Sequence, residues 1–199
     1  AGLDPASASV NWKKKLERAG EIALLFADGR LFAEQDGMLY LLNPQDGQVL
    51  WQHELGDRLV RLPCETTAGI VVASKLNVLR LLDARDGKVK AERQWPTWLL
   101  EIRAGVLNNR EFVICSDLRN RVIFLDPATL ETRGSATVGQ RLMPGLWLAP
   151  RVPVPWRIER QAPAADAMAE ALDQLGGDWL AAVLCVDDEG FVHVLKVPQ

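Results

Sequence analysis

The chain is 199 residues long, 48% hydrophobic and 25% charged, with 23 basic against 26 acidic side chains. That balance excludes a disordered chain, and a length near 200 residues buries enough surface for a core without disulfides or metal. The net charge of −3, with Lys13-Lys14-Lys15 as the one basic run, excludes a dedicated nucleic-acid binder, and the longest uncharged apolar stretch, Trp179 to Val186, is far short of the ~20 residues of a membrane span.

The first residues carry neither a basic nor an apolar leader segment, so no signal peptide is expected. One already cleaved, or a larger parent protein, would give the same sequence. Residues 10–16, VNWKKKL, read as a strand, followed by a first apolar strand at 21–27. Next come RLFAEQ, the turn Asp36-Gly37, MLYLLN, the turn Pro44-Gln45-Asp46-Gly47 and VLWQHEL. Asp-Gly between alternating segments is a hairpin signal, because both turn positions need positive φ.

This meander recurs. Residues 36–55 align without gaps on 76–95, bringing Asp46 onto Asp86 and Gly47 onto Gly87, and a third copy, RVIFLDPATLET, sets Asp126 on Asn43. A fourth, GFVHVLKV, sets Gly190 on Gly37. The strands at 58–63, 98–105 and 141–148 take the place of 21–27. Four antiparallel strands repeating about every 40 residues predict an all-β fold, a small β-propeller of four four-stranded blades.

The expected blades are about 21–57, 58–97, 98–139 and 140–199 within a single domain, 1–199. Residues 10–16 match 49–55, with Trp12 on Trp51, while the last unit ends after its third strand. The N-terminal strand is therefore expected to close the last blade, which removes an open sheet edge. The last blade also holds an insertion at about 149–178: a proline-rich loop, then a short amphipathic helix through AADAMAEALDQLGG.

The segment LLNPQDGQVLW resembles the repeat of the quinoprotein-like propellers, named after pyrroloquinoline quinone, with Asn43, Gly47 and Trp51 in the matching places. The resemblance implies that the Trp docks between adjacent blades and that the Gly closes the turn. Blade two keeps Asp83 and Gly87 but has Ala91 for the Trp; blade three keeps Asp126; Trp12 returns in the closing strand. The quinone-dependent dehydrogenases of this class hold quinone and calcium with a Glu/Asn/Asp set that cannot be assigned here, so no cofactor is expected. In length and degenerate repeats the chain is also similar to the small propeller component of the bacterial three-part systems of MoxR-type ATPases and von Willebrand A-domain proteins.

Catalytic and metal chemistry has little purchase. His53 and His193 fall on different blades, the acidic turn Asp187-Asp188-Glu189-Gly190 lacks the spaced ligands of a calcium loop, and no nucleotide-binding, acyl-transfer or metalloprotease motif occurs. Three widely spaced cysteines, two within apolar runs, read as buried thiols and point to the cytoplasm, with the periplasm as the alternative.

The expectation is a non-enzymatic scaffold that binds a protein partner. One candidate epitope lies on the insertion, where Trp156 stands among Arg151, Arg157 and Arg160, since Trp and Arg dominate interface hot spots. The other is a face of turns: Asp36, Arg58, Lys75 and Trp95, then Trp98, Asp117, Arg119 and Asp187. The competing reading is a propeller with a small molecule or metal at its central mouth.

Overall fold

The computed structural model describes residues 2–3, 10–107, 109–139, 141–149, 182–187 and 192–196. Its described elements are all strands. They fall into two compact units, Ala1–Pro96 and Thr97–Gln199.

In the first unit, β1 (Gly2–Leu3) pairs with β2 (Val10–Trp12). Blade one is the meander β3 (Ile22–Ala27), β4 (Arg30–Gln35), β5 (Met38–Leu42) and β6 (Val49–Glu54). Blade two is β7 (Cys64–Thr66), β8 (Gly69–Ala73), β9 (Val78–Leu82) and β10 (Val89–Gln94). In the second unit, β11 (Leu99–Leu107), β12 (Arg110–Asp117), β13 (Arg121–Leu125) and β14 (Thr132–Thr137) form blade three. The last described sheet is β15 (Leu142–Ala149), β16 (Ala182–Asp187) and β17 (Val192–Lys196).

The second and third strands of each complete blade are largely buried on both faces, which is why IVVAS and FVICSD read as near-continuous apolar runs, while β4 buries the polar Glu34 and Gln35 beside Phe32 and Ala33. The fourth strands alternate, as a half-exposed strand must. Between blades one and two, Phe32, Leu39, Leu41, Trp51 and Leu55 pack against Ile70, Val72 and Leu82. In the second unit, Phe112 and Phe124 meet edge to face at 5.9 Å within a cluster that includes Leu142 and Leu146.

Two expected strands differ in detail. The first strand of blade two, expected at 58–63, forms its ladder at Cys64–Thr66. The earlier residues are engaged too: Leu59 bridges Ser74, and the Val60 N–H donates to Ala73 O at 2.7 Å. Pro63 has no N–H to give, so the chain bulges out between the two stretches and rejoins at Cys64. The N-terminal strand is Val10–Trp12 rather than 10–16, and in the described ladders its partner is β1, not the last blade. The insertion loop and the helix expected within it lie outside the described residues.

Candidate functional site

Each of the three complete blades is built on two repeated turns, and these fix where its side chains point. In the turn between third and fourth strands, a carboxylate or amide oxygen caps the backbone two residues on: Gln45 N–H to Asn43 Oδ1 at 2.9 Å, Arg85 N–H to Asp83 Oδ1 at 2.8 Å, Ala128 N–H to Asp126 Oδ1 at 2.9 Å. The same three residues accept a backbone bond from the position four ahead, from Gly47, Gly87 and Leu130. All three donors have positive φ, 71°, 71° and 60°.

On two of these turns a tryptophan docks. Trp12 Nε1 donates to Pro44 O at 3.0 Å, and Trp51 Nε1 donates to Ala84 O at 3.2 Å. Their rings lie flat on the turn glycines. A Cβ built on Gly47 would fall 2.6 Å from Trp12 Cζ3, and one on Gly87 would fall 2.8 Å from Trp51 Cδ2. Glycine is needed there both for positive φ and for the ring's approach. Leu16 follows Trp12 into the packing of Ala33, Tyr40 and Leu42, as Leu55 follows Trp51 in the cluster between blades one and two.

The opposite turns, between second and third strands, carry the candidate interaction residues of each blade. A residue of positive φ, Gly37, Asn77 or Asn120, accepts a backbone bond from the residue after the fourth strand: Leu55 at 2.8 Å, Trp95 at 2.7 Å and Val138 at 2.8 Å. Asparagine tolerates this conformation better than most side chains, so the Gly37 position needed no glycine in blades two and three. Each turn is capped by the side chain before it where that is acidic. Glu34 Oε1 accepts from Gly37 N at 3.0 Å, and Asp117 Oδ1 accepts from Arg119 N at 2.9 Å.

Of the turn-face residues singled out in the sequence, Asp36, Arg58, Lys75 and Arg119 are exposed, and Trp98 is 60% exposed. Two are not surface groups. Trp95 is 3% exposed, with the Arg93 guanidinium 4.5 Å over its ring, because its backbone bond to Asn77 draws it under the turn. Asp117 is fully buried and spends its Oδ2 on Arg121, at 2.6 Å to Nη2 and 3.0 Å to Nε. Asp187 ends β16 opposite Leu142. Arg151, Trp156, Arg157 and Arg160 lie outside the described residues.

Other polar clusters are structural. Arg30 on β4 grips Glu65 on β7 with two bonds, 3.0 and 2.7 Å, while Glu65 N donates to Asp28 Oδ2 at 2.8 Å. This ties blade one to blade two, and the Arg30 guanidinium holds the Glu65 carboxyl below the usual carboxylate range. The dimple around the pair, floored by Phe32 and Ile70, has no space for even a water molecule. Half-buried His53 has a buried Nε2 with no hydrogen-bond partner among the described residues; burial, and then the nearby Arg80 cation, hold its pKa down. Among the described residues no group of three or more His, Cys, Asp or Glu could hold a metal ion. No helix there is long and apolar enough to cross a membrane. Cys64 and Cys115 are both buried.

The tryptophan-on-glycine docking is the arrangement that the sequence resemblance implied. The family model of the outer membrane protein assembly factor BamB matches residues 1–184. The chain belongs to this family. Its repeat is thus that of a quinoprotein-like β-propeller. No curated protein matches it in sequence. Among solved structures, BamB from Moraxella catarrhalis is similar at 14% identity and a TM-score of 0.55, covering 96% of this chain and 54% of that one. BBS1N in complex with ARL6DN is similar at 13% identity and a TM-score of 0.60, covering 90% and 47%. The computationally designed Ika4 protein is similar at 12% identity and a TM-score of 0.62, covering 95% and 98%. The chain therefore spans about half the length of BamB and BBS1N.

Proposed function

We propose that this chain is a non-catalytic protein-interaction scaffold, a propeller of four blades, that holds a protein partner on its turn residues within a multi-protein assembly. The observation that carries this reading is Trp98. A tryptophan 60% exposed, on a backbone pinned by the Leu118 N–H to Trp98 O bond of 3.0 Å, loses little entropy when a partner covers it. Two further findings support it: the family is described as an assembly factor, and BBS1N was solved with a protein bound. The buried thiols suit a reducing compartment, the cytoplasm in this proposal.

The test is purification of the chain from its native lysate by size exclusion, alongside a quinone-dependent dye-reduction assay. A protein that co-elutes stoichiometrically, with no dye reduction, is the expected result. Dye reduction by a partner-free chain would overturn the proposal.

A further inference from the structure

The corner of blade three joins two kinds of exposed side chain. Trp98 and Leu118 stand opposite each other at the end of the β11–β12 ladder, 60% and 48% exposed. Beside them are two exposed cations: Arg119, next to Leu118, and Arg141, whose neighbour Leu142 is held by its N–H to Asn120 Oδ1 at 3.2 Å. The Asp117 carboxylate, two residues before Arg119, is buried and paired with Arg121. Among the described residues neither the Arg119 nor the Arg141 guanidinium has an acidic partner, on a chain whose net charge is −3.

The same corner of blade two, taken by itself, has a related composition. Arg58 and Lys75 occupy the places of Trp98 and Leu118, joined by the Lys75 N–H to Arg58 O bond of 2.8 Å. Leu76, 51% exposed, follows Lys75. Blade one departs from this pattern. There the turn carries Asp36, and Arg18 is spent on Asp36 O at 2.6 Å and Glu54 Oε1 at 2.8 Å.

We infer that the blade-three corner binds an extended acidic segment of a protein partner, one that sets an apolar side chain on Trp98 and Leu118 and carboxylates on Arg119 and Arg141. This rests on the scaffold reading and adds the partner's chemistry. Guanidinium groups pair with carboxylates through two parallel hydrogen bonds, and an adjoining indole supplies apolar area that excludes water from those pairs. A purely anionic ligand would leave Trp98 and Leu118 uncovered, and a purely apolar one would bury the two cations unpaired.

The test uses the full chain and a fluorescein-labelled peptide of Asp and Glu around a central Leu-Phe pair, with a second peptide that has Lys in place of each acid. Fluorescence anisotropy is read at about 0.05 and 0.5 M salt, bracketing strong and weak screening. The acidic peptide should bind, more weakly at high salt, and the lysine peptide should not. Trp98→Ala and Arg119→Glu should each weaken binding at least tenfold, Arg119→Lys should restore part of it, and Leu50→Ala, on an exposed position of β6, should change nothing. All four variants should melt with the parent, since the altered side chains are exposed. Equal binding of both peptides, no binding of the acidic one, or indifference to Trp98→Ala and Arg119→Glu overturns the inference. So does tight binding to phosphatidylglycerol vesicles that is lost in the same variants, since the corner would then read a lipid surface. A co-purifying protein retained by both variants would leave the scaffold reading standing while removing the acidic-segment inference.

Discussion

The Trp51 indole lies on Gly87 with its Nε1 bonded to Ala84 O at 3.2 Å, so the fourth strand of blade one is fastened to a turn of blade two. The two residues act as one joint. Trp51→Ala removes a buried ring at a cost of about 3–5 kcal/mol. Gly87→Ala must fit a methyl against that ring at φ +71°, for about 2–4 kcal/mol from strain and overpacking together. The double variant should cost clearly less than the sum, because without the ring the methyl has room. Urea unfolding of the four proteins measures this coupling, and strict additivity would refute the joint.

Leu130 fills the same turn position with a side chain. It holds the place of Gly47 and Gly87 at φ 60° and is fully buried. Leu130→Gly should relieve about 1–2 kcal/mol of backbone strain but forfeit about 3–5 kcal/mol of buried side chain. The protein should therefore become less stable, by about 2 kcal/mol on balance, as read by a lower urea midpoint at unchanged slope.

Removing residues 1–17 deletes Trp12 from Gly47 and Leu16 from Ala33, Tyr40 and Leu42. The face so opened adjoins a stripe on β3, Ile22, Leu24 and Phe26, that is already 47%, 58% and 67% exposed. The truncated chain should aggregate or melt at a much lower temperature, since an enlarged apolar face recruits other chains. A soluble truncation of equal melting temperature would show that these residues contribute nothing to the fold.

Stability should fall in two steps on acidification. His53, among Arg80, Glu92 and Glu54, has a folded pKa below its ordinary 6.5, so the folded chain keeps it neutral while the unfolded chain takes up a proton as pH drops past 6.5. Its contribution is complete above that pH and declines below it. Glu65, held below its ordinary 4.5 by Arg30, contributes above 4.5 and is lost as pH falls further. His53→Gln should erase the upper step and leave the lower one in a series of unfolding curves from pH 7.5 to 3.5. A variant that keeps the upper step would assign it to another group.

The repeat and most strand positions were legible because hairpin turns need Gly, Asn or Asp at positive φ, and Asp36-Gly37 and Asp46-Gly47 advertise that need. β4 runs from Arg30, just after Asp28-Gly29, to Gln35, just before Asp36-Gly37. What escaped the sequence was tertiary. Nothing in the string VKAERQW shows that a backbone bond from Trp95 to Asn77 will carry that indole inside. Asp117 looked like a surface turn residue because its partner Arg121, four residues on, is recognisable only once the turn is folded. The Arg30–Glu65 link had no local signal, since it joins two blades. The alignment of Gly37 with Asn77 was the one available clue to the positive-φ corner, and it marks the turn without saying which side chains beside it stay exposed.

The most direct measurement is hydrogen–deuterium exchange of the chain with and without its co-purified partner. A partner held on the corners slows exchange around residues 96–99 and 117–121, while the docking turns at 43–48 and 83–88 exchange as in the free chain. Slowing confined to residues 149–178, or spread over the fourth strands β6, β10 and β14 with the corners unchanged, would contradict it.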